Sequence, residues 1–214
     1  MQLCTYLSKY DEAEVLYQRA LVGREKTLGC NHPDTLALAN NLATVYIRQN
    51  KYAEAEVCSQ RVLAGREAAL GPNHPDTISS ASKLAILYSD MGKYDEAVVL
   101  YQRALDGREK TLGPDHLNTL TSASNLASVY IRQGKYDEAE VLYQRTFVGR
   151  ERAFGRDHPD TLSSANKLAT LYFNQGKYDE AAVLTQRVLA GREKALGCDH
   201  PDTLALANNL ANLC

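Results

Sequence analysis

Five histidines recur at a fixed interval of 42 residues, and a regular set of imidazoles could in principle bind a metal ion. They are His32, His74, His116, His158 and His200. Equivalent positions on stacked helices lie about 8–10 Å apart, whereas a zinc ion needs its nitrogen ligands at about 2.0–2.1 Å. We therefore interpret the histidines as loop and cap residues, and we expect no metal and no other cofactor.

Paired carboxylates and cysteines are the other groups that could carry out catalysis. Asp137 and Glu138 are typical of the pairs, which fall at the expected starts of helices, where the helix dipole favours carboxylates. Cys58 occupies the repeat position that leucine holds elsewhere, so it is interpreted as a small apolar filler. The sequence has no glycine-rich phosphate loop and no serine or cysteine triad signature. We therefore predict no catalytic residues and no enzyme.

Composition narrows the classes of partner and the compartment. The chain has 214 residues, of which 44% are hydrophobic and 23% charged, with a formal net charge of -2. This balance is typical of an ordered protein that does not bind nucleic acid. Neither a secretory leader nor an apolar run of the ~20 residues that a membrane span requires is present. The five cysteines show no CxxC pair, so we predict reduced thiols and a cytoplasmic location with no membrane partner.

A repeat of 42 residues accounts for the spacing of the histidines and fills the chain. The segment GREKTLGCNHPDTLALANNLA at residues 23–43 returns at residues 191–211 with two substitutions. The motif KY[DA]EA begins at Lys9, Lys51, Lys93, Lys135 and Lys177. We predict a single repeat domain over residues 1–214, with a lone second helix at 1–30, four complete units at 31–72, 73–114, 115–156 and 157–198, and a lone first helix at 199–214.

Each unit is predicted to contain two helices, the first from Asp34 to about Gln49 and the second from Tyr52 to Leu70. Apolar residues at helical spacing define the side of each helix that we expect to be buried. On the first helix these are Leu36, Ala39, Leu42, Ala43 and Tyr46, and on the second they are Ala55, Cys58, Val62, Leu63 and Leu70. One such pair cannot bury its apolar face alone, so neighbouring pairs must stack.

Cap and turn residues predict where the helices begin and end. Asn31 is the expected N-cap, because an acid follows three residues later at Asp34 and Pro33 lies in the first turn. Gly134 suits the left-handed position that ends a helix. A tight turn between antiparallel helices is therefore expected at Gly134.

The stretch NLASVYIRQGKYDEAEVLYQR at residues 125–145 resembles the tetratricopeptide repeat, with Leu126 and Ala127 at the helix crossing and Gly134 at the turn. The usual unit has 34 residues. The 42-residue form is similar to the repeats of kinesin light chains and of related arrays in nucleotide-binding signalling proteins. The resemblance implies an all-α, right-handed superhelical solenoid of antiparallel helix pairs that acts as a non-enzymatic scaffold. It does not imply a motor subunit, because the sequence has no heptad region.

The resemblance also implies a ligand-binding surface. In tetratricopeptide arrays the first helix of each pair lines the concave face, and the residue before the Leu-Ala pair points into the groove. These positions are Asn41, Lys83, Asn125, Lys167 and Asn209, flanked by Asn40, Asn166, Arg48 and Arg132. Amides can bind a peptide backbone, and ammonium groups can bind carboxylates. We therefore predict a protein or peptide ligand with acidic side chains or a free C-terminus; alternatively, these residues form solvated helix faces without a ligand.

Two interpretations of the ends of the chain stay open at this stage. The chain is a segment of a longer signalling or adaptor protein, or its terminal helices associate head to tail with another copy, a contact that forms open filaments unless it closes. The alternative to a peptide-binding scaffold is accordingly a structural spacer or a self-assembling array whose groove is empty.

Overall fold

The computed structural model describes the backbone of residues 2–211 and the side chains of residues 9–208, 210 and 211. This part of the chain contains ten α-helices and no strand, which confirms the all-α prediction. The helices are α1 (Gln2–Leu28), α2 (Pro33–Arg48), α3 (Tyr52–Leu70), α4 (Pro75–Asp90), α5 (Tyr94–Leu112), α6 (Leu117–Arg132), α7 (Tyr136–Phe154), α8 (Pro159–Asn174), α9 (Tyr178–Leu196) and α10 (Pro201–Ala211).

The helices fall into two compact units, unit 1 with residues 1–112 and unit 2 with residues 113–214. In unit 1, α2 pairs with α3 and α4 with α5, while α3 also packs against α4 and α1 against α2. In unit 2, α6 pairs with α7 and α8 with α9, while α7 also packs against α8 and α9 against α10. The second helices α3, α7 and α9 therefore each pack against two first helices.

The histidines cap the first helices, as predicted, but they do so in place of the residue that we expected. The Nδ1 atom of His32 accepts a hydrogen bond from the backbone N–H of Asp34 at 3.2 Å. The same contact recurs at His74, His116, His158 and His200. The prediction of Asn31 as the N-cap is wrong, because α2 begins at Pro33 and the extended residue directly before it is His32.

The predicted turn after the first helix is confirmed at Gly134, whose φ of 75° lies in the left-handed region. Its N–H donates to the Ile131 carbonyl at 3.0 Å, and the Lys135 N–H donates to the Tyr130 carbonyl at 2.9 Å. These two bonds satisfy carbonyl groups that the helix end leaves unpaired. Ser8 stands at the position equivalent to Gly134. There α1 does not turn but continues as a helix back to Gln2.

The core follows the predicted apolar stripes except at Leu70, which is exposed, and at Cys58, which is only half-buried. Leu36 is 2% exposed and Ala55 is fully buried, but Leu70 is 43% exposed. A β-carbon built on Gly65 would lie 3.4 Å from the Asn31 side chain, just before the start of α2. Leu70 is five residues further along α3 and so lies beyond that end of α2. The prediction of Leu70 as buried is wrong for this reason.

Candidate peptide-binding face

The first helices carry an exposed stripe on the side opposite their buried residues. On α2 the stripe contains Ala37, Asn41, Thr44 and Arg48, at steps of four, three and four residues. This spacing keeps the side chains on one side of a helix. In each unit separately we call the exposed sides of the first helices the first-helix face; it is formed by α2 and α4 in unit 1 and by α6 and α8 in unit 2.

In unit 1 the structure brings two of the predicted residues together. Lys83 on α4 donates from Nζ to the Asn40 Oδ1 atom on α2 at 3.1 Å. Asn40 is half-buried, while Asn41, Lys83 and Arg48 are exposed. The contact joins Lys83 to the flanking amide of Asn40 rather than to Asn41, which is the residue at the position equivalent to Lys83.

In unit 2 the corresponding lysine has a different partner. Lys167 on α8 donates from Nζ to the buried Ser124 hydroxyl on α6 at 2.9 Å. The same Nζ atom lies 5.9 Å from the centre of the Tyr143 ring. Asn125 and Asn166 are half-buried beside this contact. Lys167 is therefore less exposed than Lys83 and has an aromatic contact in addition to its hydrogen bond.

The remaining predicted residues lie at the ends of helices. Arg132 is exposed in the last turn of α6, as Arg48 is in α2. Asn209 belongs to α10, but its side chain lies outside the described residues. The structure therefore joins Asn40 to Lys83 and leaves both arginines exposed.

The pKa of Lys167 lies below the ordinary lysine value, first because burial disfavours the charged form and second because Arg150 adds a like charge nearby. Arg150 belongs to α7, a second helix, and its guanidinium extends to α6 and α8, the two first helices of this unit. It donates to the Ser164 hydroxyl at 3.0 Å and to the Thr121 hydroxyl at 3.4 Å. Arg150 thus adds a cation to the face in unit 2 beside Lys167.

Sequence reasoning missed these arginines, although they recur in the motif GRE near the end of every second helix. In unit 1, Arg66 donates to the Ser80 hydroxyl at 2.8 Å and to the Asp76 carbonyl at 3.2 Å. The recurrence of these arginines every 42 residues could have marked them as candidate residues of the face. Periodicity alone does not show how far a long side chain reaches.

Ion pairs at the turns hold successive helix pairs in register. Lys177 donates to the Glu140 carboxylate at 2.6 Å. Burial favours the neutral acid, but the hydrogen bonds from Lys177 and Gln175 outweigh it and lower the pKa of Glu140. Equivalent contacts join Lys51 to Glu14 and Lys93 to Glu56. These contacts join the turn after a first helix to the preceding second helix within each unit.

No group of three or more His, Cys, Asp and Glu side chains among the described residues could hold a metal ion. Burial raises the pKa of the half-buried Cys58 thiol, which is the opposite of what a nucleophile requires. Within the described residues there is also no helix with the length and apolar character needed to cross a membrane.

A tetratricopeptide repeat model matches the sequence in overlapping windows at residues 2–68, 39–110, 76–147, 119–194 and 160–214. The chain belongs to the tetratricopeptide repeat family. Members of this family generally mediate contacts between proteins, typically as non-catalytic scaffolds. The repeat family and the fold class predicted from the sequence are both confirmed.

Solved structures of tetratricopeptide proteins are similar to this chain over most of its length. A kinesin light chain-like protein from Podosopora anserina, with nearly identical TPR-like repeats, is 29% identical with a TM-score of 0.80 over 90% of this chain and 92% of that chain. A single-substitution variant of that protein is 30% identical with a TM-score of 0.81 over 89% and 91%. BtubC (BKLC) from P. vanneervenii shares the fold, with 22% identity and a TM-score of 0.78 over 95% and 82%. No curated protein sequence matches the chain.

Proposed function

We propose that this tetratricopeptide protein is a non-enzymatic scaffold that holds an extended segment of a partner protein on its first-helix face. The supporting observation is the pair of contacts that line this face, between Lys83 and Asn40 in unit 1 and between Lys167 and Ser124 in unit 2. Amides can donate to and accept from a peptide backbone at the same time. Repeat arrays commonly use such extended surfaces for recognition.

The charges on this face favour an acidic partner segment. Lys83, Arg48 and Arg132 are exposed cations, and Lys167 adds a half-buried one. A complementary segment carries acidic side chains or a free C-terminus. The cytoplasmic location is part of the same proposal, because the free thiols of Cys30, Cys58 and Cys198 suit a reducing compartment.

Affinity capture from cell extract, read by mass spectrometry, tests this function in each unit separately. The unit 1 variant combines Asn41→Ala with Lys83→Ala, and the unit 2 variant combines Asn125→Ala with Lys167→Ala. We expect at least one variant to lower the yield of the captured partners about ten-fold or more, since hydrogen bonds to charged groups contribute about 1.5–3 kcal/mol each.

The matched control removes one lysine and one amide from exposed positions of second helices, through Lys110→Ala combined with Gln186→Ala. This control should capture the same partners as the native chain, and circular dichroism should show equal helix content in all variants. Retention of every partner by both first-helix variants would overturn the proposal.

A second candidate function is head-to-tail self-association, and the surroundings of the helix glycines favour it. A β-carbon built on Gly65, Gly107, Gly149 or Gly191 would lie within 2.8 Å of a leucine or isoleucine on the first helix of the same pair. At the equivalent Gly23 on α1, no described residue lies within 4 Å of that position. One face of α1 is therefore uncovered where other second helices are covered.

The helix that fits this face is present in the chain itself. Residues 201–211 of α10 repeat residues 33–43 of α2 without a difference. Leu36 on α2 is 2% exposed and packs on Gly65, whereas the equivalent Leu204 on α10 is 56% exposed. In this second proposal, Leu204 of one copy packs on Gly23 of another in the way that Leu36 packs on Gly65.

Light scattering over a concentration series tests the self-association. The mass of the native chain is expected to rise above the monomer value of 23.6 kDa, and Leu204→Asp or Gly23→Leu is expected to restore the monomer. Leu196→Asp, at a similarly exposed position on α9, should leave the association intact. A native mass that stays at the monomer value at high concentration would contradict this second proposal.

A further inference from the structure

Arg150 and Lys167 meet between α6 and α8 in unit 2. Arg150 is bonded to Thr121 on α6 and to Ser164 on α8, while Lys167 on α8 is bonded to Ser124 on α6. On each helix the two residues involved are three positions apart, a spacing that places β-carbons about 5–6 Å from each other. The two cationic groups are therefore about one helical turn apart, a separation that one tetrahedral anion can bridge.

The protein groups that contact these cations are neutral. The Ser164 hydroxyl donates to the Asp160 carbonyl at 2.9 Å, and the Thr121 hydroxyl donates to the Leu117 carbonyl at 2.9 Å. These hydroxyl groups use their protons on the backbone and accept from Arg150. They orient the guanidinium without offsetting its charge. Within the described residues neither Arg150 nor Lys167 forms an ion pair.

Hydrogen-bond donors remain on both cations. A lysine ammonium has three donors and an arginine guanidinium has five, whereas the described contacts of Lys167 use one. The pKa of Lys167 is lowered, first by burial and second by the like charge of Arg150. Two adjacent positive charges are matched best by a dianion whose oxygens accept from both groups.

Two of the equivalent arginines have different surroundings. Arg24 on α1 is paired with the Asp34 carboxylate at 2.8 Å, so its charge is offset. Arg66 lies between α2 and α4, where Ala37 holds the position of Thr121 and cannot bond to it. In unit 1 the equivalent cations also have neutral partners, Ser80 for Arg66 and Asn40 for Lys83. Unit 2 differs because Arg150 has the additional Thr121 contact and Lys167 is half-buried, whereas Lys83 is exposed.

We propose that Arg150 and Lys167 form a binding site for a phosphoryl dianion, carried by a phosphorylated side chain of the segment on the first-helix face. This inference rests on the proposed function, because that segment supplies the phosphoryl group. A phosphoryl group carries a charge of about -1.5 to -2 at neutral pH and three acceptor oxygens. A carboxylate has one negative charge and two oxygens, so it matches this site less well.

The first test uses inorganic phosphate and the side-chain NMR signals of Lys167. At about pH 8 phosphate is mostly a dianion, and we expect it to shift these signals saturably and to raise the pKa of Lys167. Acetate at matched ionic strength should bind at least ten-fold more weakly. The signals of the exposed Lys83, recorded in the same spectra, serve as the internal control and should not saturate.

Variants and peptides then locate the anion. Arg150→Gln and, as a second variant, Arg150→Lys should each weaken phosphate binding, the former about ten-fold or more, in samples whose amide spectra show a folded chain. Three synthetic peptides that differ only in a central serine, phosphoserine or glutamate identify the source. The phosphoserine form should bind at least ten-fold more tightly than the other two and than inorganic phosphate.

The proposal is overturned if phosphate leaves the Lys167 signals unchanged, if Arg150→Gln binds phosphate as the native chain does, or if the glutamate peptide binds as tightly as the phosphoserine peptide. The two proposals fail in different ways. If the unit 2 variant Asn125→Ala with Lys167→Ala loses its partners but phosphate does not bind, only this inference fails. If phosphate binds at Lys167 but both first-helix variants keep all partners, the scaffold function fails and with it the assignment of the phosphoryl group to a partner segment, while the anion site itself stands.

Discussion

Leu36→Ala is expected to lower the free energy of unfolding by about 2–5 kcal/mol, whereas Leu204→Ala changes it by less than about 0.5 kcal/mol. The two leucines occupy the same position in identical 11-residue segments, so helix propensity and capping sequence are matched. They differ in that Leu36 is 2% exposed and Leu204 is 56% exposed. Of the two leucines, only Leu36 packs against a following second helix, α3. The difference in stability loss between the two variants therefore measures this packing.

Urea unfolding followed by circular dichroism makes this comparison, at a protein concentration low enough to suppress association. Equal losses of stability for the two variants would mean that Leu204, on the side of α10 away from α9, is covered by some other part of the molecule. A negligible loss for Leu36→Ala would contradict the packing of α2 on α3.

Gly149→Leu is expected to destabilise the chain by about 1–3 kcal/mol, although leucine is the better helix former. A β-carbon on Gly149 would lie 2.6 Å from the Leu120 Cδ1 atom. Leu120 is fully buried, so it has no free space into which to move. The same change at Gly23, where the surroundings are open, should raise stability by up to about 1 kcal/mol through helix propensity.

Opposite signs for the two glycine variants in thermal or urea unfolding are the expected result. If Gly149→Leu were as stable as the native chain, the close approach of α6 and α7 would not be required. A loss of stability in Gly23→Leu measured on the monomer would show that the exposed face of α1 has a structural partner within the chain.

The sequence predicted the helices well because several independent signals coincide in each repeat. The apolar period, the left-handed turn residue and the acidic first turn all set the same bounds, and α3 runs from Tyr52 to Leu70 as predicted. The N-cap was misplaced by one residue because histidine is a less familiar cap than asparagine. Periodicity placed Leu70 on the buried side but could not show that α3 extends past its neighbour.

The site was predicted less completely, because its contacts depend on how far long side chains extend and on which helices lie next to them. The position before the Leu-Ala pair identified Lys83 and Lys167, since that position is set by the repeat. It could not reveal that Lys167 bonds to Ser124 on the preceding first helix, or that Arg150 arrives from α7. These contacts depend on how adjacent helices pack. The identical segments around Leu36 and Leu204 show the same limit, because one sequence has two environments.

The second helices present a competing surface for a partner. One valine of each of these helices is about two-thirds exposed at a fixed position: Val15, Val57, Val99, Val141 and Val183. Exposed apolar positions that recur in this way can mark a binding surface. The proposed scaffold function places the partner on the first-helix face instead, because paired amide, hydroxyl and cationic groups line that face.

Site-specific photo-crosslinking distinguishes these surfaces most directly. A benzophenone amino acid is placed at Asn41 or Asn125 on the first helices, or at Val57 or Val141 on the second helices, and the crosslinked partners are identified by mass spectrometry. We expect partners to crosslink from Asn41 or Asn125 and not from the valine positions. Crosslinking from Val57 or Val141, with none from Asn41 or Asn125, would contradict partner binding on the first-helix face.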